Sequence, residues 1–181
     1  MTQMSLVAKN YAKALFGAAK DNNNIDKIAK EFDIFKKSFG TNFVNELQNP
    51  AISKADSIKI ITEISKKLNI DKLLLNFLTN LSKNRRLGLF TQVYAEFIRL
   101  LKIEKNILEI ELISNSTLEK SVIDSIKNII NKQHPNKSIE VRQTSKSEIL
   151  GGLQIKIGSN LIDASLRNKL ALIQRELVLL A

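Results

Sequence analysis

The feature that most constrains this chain is a change in the period of its apolar residues near Lys105 and Asn106. Before that point hydrophobic side chains recur every three or four residues, as helices with one buried face require; after it, strict alternation appears, as half-buried strands require. A single layer cannot satisfy both periods. The sequence therefore predicts an α+β chain: an N-terminal antiparallel bundle of about six helices over 1–105, then a small α/β domain over 106–181 with a β-hairpin and a terminal helix. No Gly/Pro/Ser-rich linker separates them, so a short hinge is expected.

In the front part, Val7, Tyr11, Ala14 and Ala18 form one apolar stripe, and Ala8, Ala12, Leu15, Phe16 and Ala19 form a second on the same helix. After "DNNN", Ile25, Ile28, Phe32, Phe35 and Phe39 make another stripe, expected to stop at Gly40. A short apolar segment, Phe43, Val44 and Leu47, ends at Asn49-Pro50. Ser53 followed by Asp56 resembles a capping box with Asp in the usual Glu place, opening a helix with Ile58, Ile61, Ile64 and Leu68 inward. The stretch "DKLLLNFLTNLSKNRRLGLF" reads as a compact apolar helix and a basic turn. The last helix of this part carries Leu87, Phe90, Tyr94, Phe97, Ile98 and Leu101.

In the tail, "ILEIELI" places Leu108, Ile110 and Leu112 on one strand face and Glu109 and Glu111 on the other. A helix with Leu118, Val122, Ile126, Ile129 and Ile130 as its apolar side follows, then a short strand, "SIEVRQ". Gly151-Gly152 allows a turn or a close backbone approach before the alternating Leu153, Ile155 and Ile157. "GSN", with Gly158 first, fits a tight hairpin turn. Asp163 and Ser165 stand where strand gives way to helix, and their side-chain oxygens suit the unpaired first amides of that helix. Leu166, Leu170, Ile173, Leu177 and Leu180 then form a seam that can pack on its own hairpin or receive another protein's helix.

Catalytic equipment is scarce. The chain has no cysteine, which excludes disulfides, thiolate nucleophiles and thiolate metal sites. Its one histidine, His134, lies before Pro135 in a polar stretch and reads as a solvated turn residue. The glycine pair precedes a strand, whereas a phosphate-binding loop follows a strand and opens a helix. No paired carboxylates or metal cluster stand out. No catalysis, cofactor or metal is expected.

The net charge of +10 raises nucleic acid as a partner. Basic residues outnumber acidic ones 18 to 10 up to Asn106 and 10 to 8 beyond it. The surplus is mostly dispersed lysine, without the clustered arginine and interleaved aromatics of a nucleic-acid groove. A basic nucleic-acid-binding protein is thus the alternative reading, and none is expected as partner. No apolar run approaches the roughly 20 residues of a membrane span. The opening "MTQMSLVAKN" lacks the pattern of a secretion or organelle signal, which predicts a cytosolic protein.

The helix bearing Tyr11 and that bearing Leu73 and Phe77 are apolar on more than one face. If Leu74, Leu78 and Leu81 face the core, Leu73 and Phe77 are left over, with Asn80 at the edge; such helices are either central in the bundle or partly uncovered. The ending, with Gly151-Gly152, "IG", "LIDASL" and "RNKL", resembles the C-terminal signature of the delta subunit of bacterial F-type ATP synthases, the oligomycin-sensitivity-conferring subunit of mitochondria. "VAKNYAKALFGAA" and "NFLTNLSKNRRLGLFTQVYAEF" match the family too, so the likeness spans nearly the whole chain. Asn168 stands where the family often has glycine, and Ser159-Asn160 replaces a commonly acidic turn.

That resemblance implies a non-catalytic stator subunit, peripheral on the cytoplasmic face of the cell inner membrane. It implies three sets of partners: N-terminal helices of the alpha subunits, the C-terminus of the b subunit, and other ATP synthase subunits. The helical domain would bind the catalytic head through Val7, Tyr11, Ala14, Ala18, Leu73, Phe77 and Asn80. The tail domain would bind the stalk through Leu166, Leu170, Ile173 and Leu177, with Gly151, Gly152, Gly158, Asp163 and Ser165 shaping its turns and cap.

Overall fold

The computed structural model describes residues 5–46, 52–158, 160–171 and 174. Two compact units emerge, Met1–Leu101 and Lys102–Ala181.

The first unit is helical: α1 (Leu6–Asp21), α2 (Ile25–Glu46), α3 (Lys54–Lys67), α4 (Lys72–Lys83) and α5 (Phe90–Glu104), with a 3-10 turn at Leu87–Leu89. Among the described residues, five α-helices and that turn stand where about six helices were expected. The expected stop at Gly40 does not occur. Gly40 costs the helix about 1 kcal/mol relative to alanine, but Phe43 falls four residues after Phe39 and extends the same stripe, so α2 runs on to Glu46. Leu47, Asn49 and Pro50 lie outside the described residues. Leu87 belongs to the 3-10 turn instead of α5.

Local chemistry sets the helix ends. The Ser53 Oγ accepts from the Asp56 amide at 3.1 Å and donates to the Asp56 carboxylate at 2.6 Å. Asp is one methylene shorter than the usual Glu, and here it meets the cap hydroxyl. Asp71 caps α4 by accepting from the Leu73 amide at 3.0 Å. At the far end of α4, the Arg85 amide bonds the Ser82 carbonyl and the Arg86 amide bonds the Leu81 carbonyl. This six-to-one closure needs a left-handed residue, and Arg85 supplies it with φ 52°.

The core gathers Ala8, Ala12, Leu15 and Ala19 of α1 with Leu74, Leu78 and Leu81 of α4. Phe32 lies at the centre of the aromatic packing, against Phe77, Phe90, Tyr94 and Phe97 at centroid distances of 5.1–6.3 Å. Of the α3 stripe only Ile61 is fully buried; Ile58, Ile64 and Leu68 are half-covered.

The second unit is a four-stranded sheet of order β2-β1-β3-β4, formed by β1 (Ile107–Ser114), β2 (Ser138–Ser145), β3 (Gly152–Ile157) and β4 (Asn160–Ser165). Helix α6 (Lys120–Gln133) connects β1 to the parallel β2, while β3 and β4 run as an antiparallel hairpin beside β1. Leu108, Ile110 and Leu112 share one face with Ile139, Val141, Leu153, Ile155 and Ile157, packed with Ile123, Ile126 and Ile130 of α6. Val122 and Ile129 do not join them. They lie on another side of the α6 cylinder and are exposed, because a helix of this width offers a two-dimensional sheet only one stripe.

The opposite sheet face is charged. Glu109 and Glu140 are register partners, so two like charges stand side by side. Lys102 bridges them at 2.9 Å to each. Burial opposes the charge on Lys102, and the hydrogen bonds to the two carboxylates more than offset it, leaving its pKa above the ordinary value.

Candidate functional site

Two surfaces carry the side chains singled out in the sequence. On the first, Tyr11 of α1 meets Phe77 of α4 edge to face, at 6.1 Å between centroids and 74° between planes. Phe77 also packs edge to face with Phe32 at 6.3 Å. Tyr11, Leu73 and Phe77 are half-buried against the core, so the helix faces expected to be left over are partly used by the fold itself. Val7 and Ala18 are half-buried, and Ala14 and Asn80 are exposed. Val7, Ala14 and Ala18 share the face of Tyr11 by their spacing, and Leu73 stands one turn before Phe77.

Two residues not singled out complete this surface. The Asn84 side-chain amide donates to the Tyr11 hydroxyl oxygen at 3.2 Å and to Asn80 Oδ1 at 3.0 Å, linking Asn80 to Tyr11. The Arg86 guanidinium lies over the Tyr11 ring, 5.7 Å from its centroid, and donates to the same hydroxyl oxygen at 3.3 Å. The basic turn "KNRR" was the available signal. What it could not give was the left-handed turn at Arg85, which brings Arg86 back beside α1.

The second surface surrounds the start of the last helix, which is helical over 166–171. Asp163 Oδ1 accepts from the Ser165 amide at 2.9 Å, and Asp163 Oδ2 accepts from the Gln154 side chain at 3.1 Å. Ser165 Oγ accepts from the Asn168 amide at 3.3 Å, the geometry of a helix N-cap. Asn168 returns a bond from its side chain to the Asp163 carbonyl at 2.8 Å. Ser165, through its hydroxyl and then its amide, holds the Asp163 carboxyl below the usual carboxylate range.

The glycines serve close approach here. A Cβ on Gly152 (φ +79°) would stand 2.5 Å from the Ala164 carbonyl oxygen, and one on Gly151 2.7 Å from Leu166 Cδ1. Gly158, at the hairpin tip, has φ +57° and open space around it. Leu166 and Leu170 are 51% and 59% exposed, and Leu150, which precedes Gly151 in the chain, is 74% exposed. Ile173 and Leu177 lie outside the described residues.

The ionisable groups with displaced pKa values are held in pairs on the fold. Burial first, then its hydrogen bond to Asp33 at 2.9 Å, pushes the Tyr94 hydroxyl up to about 12. The Arg99 hydrogen bonds lower Glu96. Among the described residues no three His, Cys, Asp or Glu side chains are grouped to hold a metal.

The ATP synthase delta (OSCP) subunit family model matches residues 7–177. The chain is 30% identical over 170 residues to "ATP synthase subunit delta" of Dinoroseobacter shibae, covering 93% of this chain and 91% of that protein. It is 33% identical over 177 residues to "ATP synthase subunit delta" of Rickettsia bellii, covering 95% and 92%. Its fold is similar to a chain in the cryo-EM structure of the Toxoplasma gondii mitochondrial ATP synthase hexamer, with TM-score 0.75 and 18% identity over 96% of this chain and 98% of that one. The alternative of a nucleic-acid-binding protein finds no support in these matches. With a family model spanning the helical unit, the sheet and the capped last helix alike, the chain belongs to the ATP synthase delta (OSCP) subunit family, a non-catalytic subunit of that complex.

Proposed function

We propose that this chain is the stator connector of an F-type ATP synthase, tying the catalytic head to the peripheral stalk so that the head does not turn with the rotor. The observation that carries this is the near-complete family match, across both units. The helical unit, residues 1–105, receives N-terminal helices of the alpha subunits on the α1/α4 surface. Val7, Tyr11, Ala14, Ala18, Leu73, Phe77 and Asn80 form that face. The unit over 106–181 receives the C-terminus of the b subunit around Leu166 and Leu170, in line with Ile173 and Leu177 in the sequence. No described helix is long and apolar enough to cross a membrane. The chain is held at the cytoplasmic face of the inner membrane by its partners.

A half-buried aromatic flanked by small side chains suits this task. Its ring is ordered by the fold before binding, and the alanines leave depth for an incoming apolar stripe. A pull-down from solubilised membranes should recover alpha, beta and b subunits. Tyr11→Asp should weaken binding of an alpha N-terminal peptide at least about tenfold while the helical circular dichroism is retained. Wild-type affinity in that variant would remove the α1/α4 surface from the assignment.

A further inference from the structure

The edge of the α1/α4 surface holds a linked set of polar side chains, Tyr11, Asn80, Asn84 and Arg86. The Tyr11 hydroxyl oxygen accepts from both Asn84 and Arg86, so its own hydrogen is the group it has left to offer. Among the described residues that hydrogen meets no acceptor, and Arg86 meets no carboxylate. Arg86 carries five N–H donors in a fixed plane, is exposed, and spends one of them on Tyr11. Asn84 is fixed by its bonds to Asn80. The ring of Tyr11 beneath the guanidinium and the hydroxyl beside it orient a side chain that would otherwise sample many rotamers. Lys83 and Arg85 add positive charge on the same turn. An apolar face thus ends in a cationic rim that offers the free N–H groups of Arg86 and the O–H of Tyr11.

From this we infer that the helix received by α1 and α4 carries an acidic side chain, whose carboxylate takes N–H bonds from Arg86 and the O–H bond of Tyr11. The inference rests on the docking surface proposed above and specifies the chemistry of its occupant: an amphipathic helix whose apolar stripe ends at a carboxylate. Such charge-assisted bonds are short and directional, and they fix the register of a helix that an apolar face alone would let slide.

The test uses the full chain and a synthetic peptide of the alpha subunit's N-terminal helix from the same organism, followed by titration calorimetry. Tyr11→Phe keeps the ring and its contact with Phe77 but removes the hydroxyl; Arg86→Gln removes the charge. Each should weaken binding about five- to tenfold, and the double variant by little more than either alone, since both act on one carboxylate. Replacing the peptide's acidic residues by their amides should weaken wild-type binding by the same factor and leave the Arg86→Gln variant unaffected. This arm needs no altered fold. Both variants binding like wild type, or a peptide whose amide forms bind equally well, would overturn the acidic contact while leaving the docking surface standing. Failure of the wild-type chain to bind the peptide would overturn both.

Discussion

Single residues in this chain are decided by two different constraints, space and backbone conformation, and two glycines separate them. Gly152 has positive φ and no room: an added Cβ would meet the Ala164 carbonyl oxygen at 2.5 Å, a backbone atom that cannot swing aside. Gly158 has positive φ and open space. Gly158→Ala should therefore cost about 1 kcal/mol, the strain of a left-handed alanine, whereas Gly152→Ala should cost at least twice that. Denaturant unfolding of the sheet unit, followed by far-ultraviolet circular dichroism, compares them; equal losses would contradict the close approach. The sequence identifies Gly151-Gly152 and Gly158 as turn residues. It does not rank them, because the atom that makes Gly152 costly belongs to β4, twelve residues away. The placement of Arg86 beside Tyr11, though not its charge, was hidden for a related reason: it depends on a left-handed Arg85 with no glycine to announce it.

At the scale of elements, the change of period was legible because it repeats over many residues, while boundaries were not. The helix bearing Phe39 and Phe43 continues through Gly40 because one weak helix former cannot override a stripe maintained on both sides. Val122 and Ile129 look like core by spacing alone, yet the sheet takes Ile123, Ile126 and Ile130 instead. Charge is harder still to foresee. Glu96 of α5 is a carboxylate yet only 1% exposed, held by Arg99 Nε and Nη2 at 2.8 and 2.7 Å, with Lys9 and Lys13 of α1 adding favourable charge. Its folded pKa is depressed, so its contribution to stability is complete above the unfolded value near 4.3 and is lost as pH falls through the folded one. Glu96→Gln should lower stability by about 1–2 kcal/mol at pH 7. The gap between variant and wild type should narrow progressively below about pH 4. A gap that persists unchanged at low pH would mean that packing, not charge, holds this side chain.

For the whole molecule, the division near residue 101 implies that each unit has a core of its own. A fragment ending at Lys105 keeps all five helices of the first unit and the aromatic packing around Phe32. It should unfold in a single cooperative transition and retain the alpha-peptide affinity of the full chain; a broad, sloping melt would show that the bundle depends on the sheet. The extent to which the α1 and α4 faces are covered was only half legible at this scale. Spacing marks Tyr11 and Phe77 as surplus to one stripe, but how much of that surplus the core absorbs depends on how neighbouring helices pack, which no single helix encodes. The strand order has a further result. The strand that leaves the helical unit, β1, is an interior strand, laced to β2 along eight register pairs and to β3 along five. A pull along the chain between the units therefore enters the middle of the sheet, where extraction must shear two ladders together; an edge strand could be peeled away one bond at a time.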